Sequence, residues 1–244
     1  MSGEQSITVR PQDRVLAVIP AKDEEPTVAT VVRDVRRLLG CPVLVVDDGS
    51  TDATAARATD AGAIVLSLPF SLGAWCASQA GLRYAVEHGY TTAVTLDADG
   101  QHHAESIPIL LKELRDAGSD LVIGACPERL SVAKHIAWRY FRWLTRLSIQ
   151  DFTSGLRVYG SNALRTLASR QASLLDYQDV GVLLLLARQG MVIREVQVNM
   201  SNRMAGHSRV FSSWFTVFHY MLQTTLLCVS RFDAQRPRTR EAES

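Results

Sequence analysis

Three clusters of polar residues each follow a short apolar run, and their residue types could bind a ligand or a cation. They read PAKDEE from Pro20, DDGSTD from Asp47 and DADGQHH from Asp97. Any one cluster alone fits a turn and a helix cap, because Asp-Gly pairs, Ser and Thr are common there. If the apolar runs are parallel strands, all three clusters meet at one edge of a sheet, where ligands bind. Carboxylates at such an edge suit the hydroxyls of a ribose and the edges of a base.

The third cluster has the spacing of a cation site. Asp97 and Asp99 are separated by one residue, and Gln101 offers a third oxygen. Such oxygen ligands suit a hard divalent cation, Mg²⁺ or Mn²⁺, which also binds substrate phosphates. The chain has no Walker-type phosphate loop and no GxGxxG motif after its first apolar run, so ATPase and classical dehydrogenase functions are not supported. The cluster therefore predicts a cation that bridges a nucleotide diphosphate.

Composition narrows the class of protein. The 244 residues are 47% hydrophobic and 21% charged, with a net charge of +1, which excludes disordered and fibrous chains. This charge gives no general field that attracts nucleic acid, so no nucleic-acid partner is expected. The four cysteines are scattered, the N-terminus is polar, and no run reaches eighteen apolar residues. We therefore expect a cytoplasmic protein without a spanning helix.

The elements that must position the clusters alternate along the chain. Strands are predicted over 15–19, 43–46, 63–66, 92–96, 121–123 and 192–198, and helices over 25–39, 51–61, 73–88, 104–116, 134–147 and 177–188. The strands are apolar throughout, which is typical of strands covered on both faces, and the alternation predicts an α/β fold with a mostly parallel sheet. We expect one domain over 1–210, followed by an amphipathic helix and a basic tail over 211–244.

The motifs resemble a known family. VIPAKDEE, VVDDGSTD and DADGQH, in this order and spacing, resemble family 2 glycosyltransferases, which have the Rossmann-like GT-A fold. DFTSGLRVYG and SNRMAGHSRV are similar to the dolichyl- and polyprenyl-phosphate sugar transferases within that group. The resemblance spans roughly 15–209. It implies an inverting, metal-dependent transfer of a sugar from a nucleotide diphosphate, GDP or UDP, to polyprenyl phosphate.

The resemblance also implies roles for individual residues. Mg²⁺ or Mn²⁺ would be held by Asp97, Asp99 and Gln101, and catalysis would involve Asp99 and Asp179. Nucleotide-sugar binding is implied for Pro20, Glu24, Asp47, Asp48, Asp97, Ala98, Asp99, Gln101, Arg203 and Arg209. Acceptor binding is implied for Arg139, Ser154 and Arg157, and Arg129 is a further candidate for it. For Asp179, the roles of base, positioning group and helix start all stay open.

The sequence departs from the family pattern at four positions. Lys22 replaces an aromatic residue, Asp23 replaces Asn, Cys126 replaces a phosphate-binding Arg, and Arg209 replaces Lys. The charge survives at residue 209 although its geometry changes. Arg129, three residues after Cys126, is a candidate substitute for the missing arginine.

Two other functions remain open at this point. The acceptor could be a sugar hydroxyl in glycan or lipopolysaccharide assembly, which requires a base such as Asp179. The chain could also be a nucleotide-sugar-binding protein without turnover. Aromatic residues recur at helical spacing over 211–229, which fits a helix packed on the domain, a homodimer interface or a peripheral helix on the cytoplasmic face of a membrane. His102 and His103 could be ligands or bases, while the resemblance favours positioning groups.

Overall fold

The computed structural model describes residues 14–126, 132–174, 180–201 and 225, and its centre is a seven-stranded sheet. The strands are β1 (Val15–Ala21), β2 (Val43–Asp47), β3 (Ile64–Ser67), β4 (Thr92–Thr95), β5 (Leu121–Ala125), β6 (Arg157–Tyr159) and β7 (Ile193–Gln197). Their order across the sheet is β3-β2-β1-β4-β6-β5-β7. All pairs are parallel except those of β6, which runs antiparallel to both β4 and β5. The predicted α/β fold with a mostly parallel sheet is therefore confirmed.

Helices cover both faces of this sheet. They are α1 (Val28–Leu39), α2 (Thr54–Asp60), α3 (Ala74–Glu87), α4 (Ile107–Asp116), α5 (Val132–Thr145), α6 (Ser161–Ala168) and α7 (Val180–Arg188). Buried residues of α1, α2 and α4 form one core layer, and those of α3, α5, α6 and α7 form the other. None of the helices within the described ranges has the length and apolar character needed to cross a bilayer.

The two core layers explain why the strand sequences are apolar at every position. Along β1, Leu16 and Val18 pack into one layer, while Ala17 and Ile19 pack into the other. Successive side chains of a strand point to opposite faces, so both sets must be apolar when helices cover both sides. The interior thus fixes β1 between β2 and β4, with the polar clusters just past the strand ends.

Two elements differ from the sequence prediction. The pattern gave no sign of β6, which has only three residues and includes the charged Arg157, or of α6 directly after it. A strand this short leaves too few alternating positions for hydrophobic periodicity to register. Of the predicted helix over 211–229, the structure describes Thr225 alone, which is helical and whose Oγ1 lies 3.3 Å from Oη of Tyr140 on α5. The basic tail and the boundary at residue 210 lie outside the described residues.

Candidate active site

The direction of β6 brings a second set of residues to the edge where the parallel strands end. Arg157, the first residue of β6, lies opposite Thr95 near the end of β4 and opposite Ile123 of β5. Because β6 is antiparallel, the segment that precedes it reaches the edge that carries Asp97. The edge is therefore built from the ends of β1, β2 and β4 together with residues 153–155.

The loops after β1 and β2 are joined by hydrogen bonds. The amide of Asp23 donates to Ser50 Oγ at 2.9 Å, and the amide of Thr51 donates to Asp23 Oδ1 at 2.8 Å. Asp23 has a φ of 50°, a left-handed conformation that Asn and Asp adopt more readily than most residues. Asp can therefore replace the Asn of the family pattern at residue 23, because it adopts this φ and its carboxylate accepts the amide of Thr51. Pro20 and Glu24, both partly exposed, flank the joined loops.

Asp48 forms hydrogen bonds with the loop that precedes α3. Its carboxylate is buried and accepts hydrogen bonds from Ser71 Oγ at 2.8 Å and from the amides of Leu72 and Gly73 at 2.6 and 3.0 Å. These contacts hold the loop that leads into α3. The carboxylate therefore positions a loop in this structure, and its contact with a nucleoside stays a prediction.

Asp47 also serves the geometry of its own loop. It is buried at the end of β2, and its Oδ1 accepts the amide of Ser50 at 3.1 Å. Gly49 directly follows Asp47 and Asp48, has a φ of 65° and lies against the loop that contains Ser71. A Cβ at this glycine would lie 2.9 Å from the Ser71 nitrogen, so the loops approach more closely here than a side chain allows. Both features fix the second cluster against the loop before α3.

The third cluster directs one carboxylate toward solvent. The Asp97 side chain is 46% exposed, and its Oδ2 lies 3.1 Å from Nε2 of His102, whose side chain is 1% exposed. Asp99 is buried, and its Oδ1 accepts the amide of Gln101 at 3.0 Å, which closes the turn. Ala98 between them is buried, while Gln101 is partly exposed. Within the described ranges, no group of three or more His, Cys, Asp or Glu side chains is arranged to hold a metal ion.

The segment after Asp99 is paired with the chain that follows β7. His102 forms an antiparallel bridge with Met200, and the amide of Ser201 donates to the carbonyl of Gln101 at 2.9 Å. Ser201 Oγ also lies 2.9 Å from Nε2 of His103. These contacts anchor residue 201 beside the third cluster. The segment that carries the predicted Arg203 and Arg209 starts directly after it, outside the described residues.

Ser154 and Arg157 are buried, and a contact of either side chain with the acceptor stays a prediction. Ser154 Oγ donates to the carbonyl of Gly124. Arg157 is fully buried, and its guanidinium donates to the carbonyls of Ser154 at 2.9 Å and Phe152 at 2.7 Å. A buried guanidinium must have hydrogen-bond acceptors, and backbone carbonyls supply them here. The two side chains therefore shape the loop over 152–155.

That loop places Gly155 against Asp97. A Cβ atom at residue 155 would lie 2.5 Å from both carboxylate oxygens of Asp97. Real Cβ atoms do not approach oxygen atoms this closely, so only glycine fits without a shift. A contact between Gly155 and Asp97 is not predictable from local sequence patterns, because 58 positions separate the two residues along the chain.

A glutamate on β7 holds the turn after α5. Glu195 accepts the amides of Gln150 at 2.7 Å and Asp151 at 2.9 Å. Burial raises the pKa of the Glu195 carboxyl, and the nearby Asp151 adds to this effect, while the two amides and Arg142 oppose it. Asp151 in turn accepts the amide and hydroxyl of Thr153, both through Oδ1. These hydrogen bonds connect Glu195 through Asp151 to Thr153, which lies in the same loop as Gly155.

Helix α3 holds the end of α6 and the residues that follow it. Trp75, Gln79 and Arg83 follow one another at intervals of four residues, which places them on one face of the helix. They donate hydrogen bonds to backbone carbonyls within 167–172, at distances from 2.9 to 3.2 Å. This segment precedes the stretch that contains Asp179. Asp179 itself and Arg129 lie outside the described residues.

Arg139 lies on the exposed side of α5. Trp143, one turn further on, is 76% exposed, and Arg146 just beyond the helix is exposed as well. Trp138 and Phe141 of the same helix are buried in the core. The structure thus separates the mixed basic and aromatic sequence into a core face and a solvent face. A contact between Arg139 and an acceptor stays a prediction.

Comparisons with known proteins agree with this architecture. Residues 16–170 match glycosyl transferase family 2. The chain is 31% identical over 232 residues to the polyprenol monophosphomannose synthase of Mycolicibacterium smegmatis, covering 87% of this chain and 86% of that protein. It is 32% identical over 216 residues to the undecaprenyl-phosphate mannosyltransferase of Micrococcus luteus, covering 81% and 87%.

Among solved structures, the chain resembles glucosyl-3-phosphoglycerate synthase from Mycobacterium tuberculosis in complex with Mn²⁺, UDP and phosphoglyceric acid. The TM-score is 0.69 at 22% identity, with 90% of this chain and 78% of that chain covered. This likeness shows the fold. With the family match over more than half of the chain, it establishes that the chain belongs to glycosyl transferase family 2 and is a glycosyltransferase with the GT-A fold.

Proposed function

We propose that the enzyme transfers a sugar from a nucleotide diphosphate to polyprenyl phosphate, with inversion and with a divalent cation. The observation that carries the proposal is the exposed Asp97 carboxylate at the carboxyl edge of the sheet, next to Asp99 and Gln101. The names of the two mannosyl-transferring relatives point to polyprenol and undecaprenyl phosphate as acceptors. Those names support the choice of a lipid phosphate over a sugar hydroxyl.

The residues present fit a hard divalent cation. Asp97 is partly open to solvent, and the absence of a Cβ at Gly155 leaves room for its carboxylate. Two carboxylates and an amide oxygen leave coordination positions for waters and phosphates, which Mg²⁺ and Mn²⁺ commonly retain. Asp97, Asp99 and Gln101 would hold the ion, which when bound offsets the negative charge that develops on the leaving diphosphate.

The remaining residues are assigned either to the nucleotide-sugar donor or to the phosphate acceptor. We propose that Pro20, Glu24 and the loops fixed by Asp47 and Asp48 line the nucleoside side, with buried Ala98 supporting the turn. Arg203 and Arg209 are proposed to bind phosphates. Arg129 and Arg139 are proposed as acceptor contacts, and Ser154 and Arg157 as residues that shape the acceptor loop. Guanidinium groups suit these roles because they bind phosphate oxygens in pairs.

A phosphate acceptor makes a strong base unnecessary. In the proposed step, a phosphate oxygen forms a bond to the anomeric carbon while the bond from that carbon to the diphosphate breaks. The electron pair leaves with the nucleotide diphosphate. Because the acceptor is already ionised near neutral pH, the protein needs to position and desolvate it rather than remove a proton. We accordingly propose a positioning role for Asp179.

The same proposal extends to location. We propose that the enzyme works from the cytoplasm and contacts the cytoplasmic face of the membrane that carries its acceptor. The exposed Arg139 and Trp143 on α5 support this, since arginine and tryptophan suit the interface between water and lipid.

The test measures sugar transfer with UDP- and GDP-linked sugars, Mn²⁺, and either undecaprenyl phosphate or a sugar hydroxyl as acceptor. Asp99→Asn is expected to lower turnover at least 100-fold while the free energy of unfolding changes little. Asp116→Asn is the matched control, because Asp116 is exposed at the far end of α4. EDTA is expected to abolish wild-type turnover.

Each competing function predicts a different result. Transfer to a sugar hydroxyl alone, lost in Asp179→Asn, would establish the hydroxyl acceptor instead. Donor binding without transfer or hydrolysis would identify a binding protein. Full activity in excess EDTA would remove the cation from the proposal.

A further inference from the structure

His102 is a buried histidine that contacts the partly exposed carboxylate of Asp97. Its side chain is 1% exposed, and Nε2 lies 3.1 Å from Asp97 Oδ2. Its other ring nitrogen, Nδ1, is buried and has no hydrogen-bond partner among the residues that the structure describes. A buried polar atom without a partner is uncommon and calls for an explanation in function or in the local fold.

The surroundings of the ring decide which nitrogen carries the hydrogen toward Asp97. A hydrogen on Nδ1 would be a buried donor without an acceptor, and a bare Nε2 would face carboxylate oxygen with its lone pair. A hydrogen on Nε2 instead donates to Oδ2 of Asp97. We therefore assign the hydrogen to Nε2, which makes His102 a donor to the carboxylate.

The backbone that carries His102 is anchored on both sides of the residue pair it forms with Met200. His102 pairs with Met200 in an antiparallel bridge, and the hydrogen bond from Ser201 to Gln101 supports the same segment. Gly155 closes another side of Asp97, since any Cβ there would touch both carboxylate oxygens. A donor that fixes one oxygen and a backbone wall beside both leave the carboxylate little freedom to rotate.

We propose that His102 is a positioning residue, which orients the Asp97 carboxylate for the divalent cation. This rests on the proposed function, in which Asp97 is a ligand. A hydrogen bond from a neighbouring group orients a ligand side chain before the metal binds. Loss of that hydrogen bond commonly weakens metal affinity 10- to 100-fold.

The experiment compares substitutions that differ in where they place a donor. In His102→Gln the side-chain amide nitrogen reaches the position of Nε2, whereas in His102→Asn it takes the position of Nδ1, away from Asp97. His102→Leu removes both. His103→Leu is the matched control, because His103 is exposed and bonds to Ser201 rather than to Asp97. Mn²⁺ affinity is measured by calorimetry on the full chain with UDP or GDP present, alongside thermal unfolding without metal.

We expect His102→Leu and His102→Asn to weaken Mn²⁺ binding about 10- to 100-fold. His102→Gln should stay within about threefold of the wild type and His103→Leu within about twofold. In turnover assays, the Mn²⁺ concentration for half-activation should rise by the same factor, while kcat at saturating Mn²⁺ falls much less. A merely structural histidine would lower the unfolding temperature without this order among the variants.

The outcomes separate this inference from the proposed function. If folded His102→Leu binds Mn²⁺ as tightly as the wild type, or if the Gln and Asn variants have equal affinities, the positioning role of His102 is overturned. The proposed function is not affected by either result. If Leu prevents folding, the comparison of Gln with Asn still decides. A wild-type protein that binds nucleotide but no Mn²⁺ would overturn the metal assignment in the proposed function, and His102 would lose its role with it.

Discussion

Gly155 shows how one backbone position can control a functional carboxylate. The residue has no side chain, lies in a buried loop and faces both oxygens of Asp97. Three hydrogen bonds fix that loop from inside: Ser154 donates to the carbonyl of Gly124, and Arg157 donates to the carbonyls of Phe152 and Ser154. The buried arginine therefore acts on the site at a distance, because it determines where the backbone beside Asp97 runs.

Gly155→Ala is expected to displace the Asp97 carboxylate and to lower kcat/KM about 10- to 100-fold, since shifts near 1 Å cost this much in catalysis. The effect should be steric, because Gly155 does not have a left-handed φ that alanine would strain. Gly160→Ala, at the other end of β6, is the control: its added Cβ would meet neighbours only at 3.5 Å or more. Equal kinetics in the two variants would contradict the steric argument.

At the scale of elements, β7 and the turn after α5 are joined through the carboxylate of Glu195. Glu195 accepts two backbone amides of that turn, and burial is the main reason why its pKa is raised. Because the pKa is raised in the folded state, the Glu195 carboxyl of the unfolded chain loses its proton at a lower pH than that of the folded protein. The corresponding stability is complete below the unfolded value of about 4.5 and is lost as the pH rises through the folded pKa.

Glu195→Gln removes this titration. We expect the difference in free energy of unfolding between the variant and the wild type to move in favour of the variant as the pH rises above about 4.5. Urea unfolding at a series of pH values measures this difference. A difference that stays constant, or that moves toward the wild type, would show that Glu195 does not titrate as the burial requires.

At the scale of the molecule, the side of the sheet covered by α5 presents basic and aromatic residues to solvent. It carries Arg139, the highly exposed Trp143 and Arg146, although the net charge of the chain is only +1. The opposite side carries α1 and α4. An enzyme with a lipid acceptor gains from docking one face on the membrane, and the α5 side has the residue types that suit it.

Arg146→Gln is expected to weaken binding to vesicles rich in anionic lipid about fivefold, since each basic residue near such a surface contributes about 1 kcal/mol. Arg37→Gln carries the same charge change on exposed α1 and should leave binding unchanged. Sedimentation with vesicles measures both, and added salt should weaken wild-type binding. Equal losses in the two variants would show a general charge effect without a docking face.

The sequence by itself determined the fold class and the edge at which the site lies. Apolar runs such as 15–19 and 43–46 specify strands covered on both faces, and the intervening helices require parallel crossovers. Parallel strands end at the same edge, so the polar clusters after them must converge. That reasoning needs only local patterns, which is why the predicted strands and helices agree with the structure to within a few residues.

Only the tertiary structure decided how the individual side chains are used. Asp48 and Arg157 have the residue types of ligand-binding groups, yet both are buried and hold loops. The contact of Gly155 with Asp97 depends on the insertion of the short antiparallel β6 between β4 and β5. Such contacts follow from the pairing and register of distant segments, which are set by the packing of the whole core and leave no periodic signal in the residues that take part.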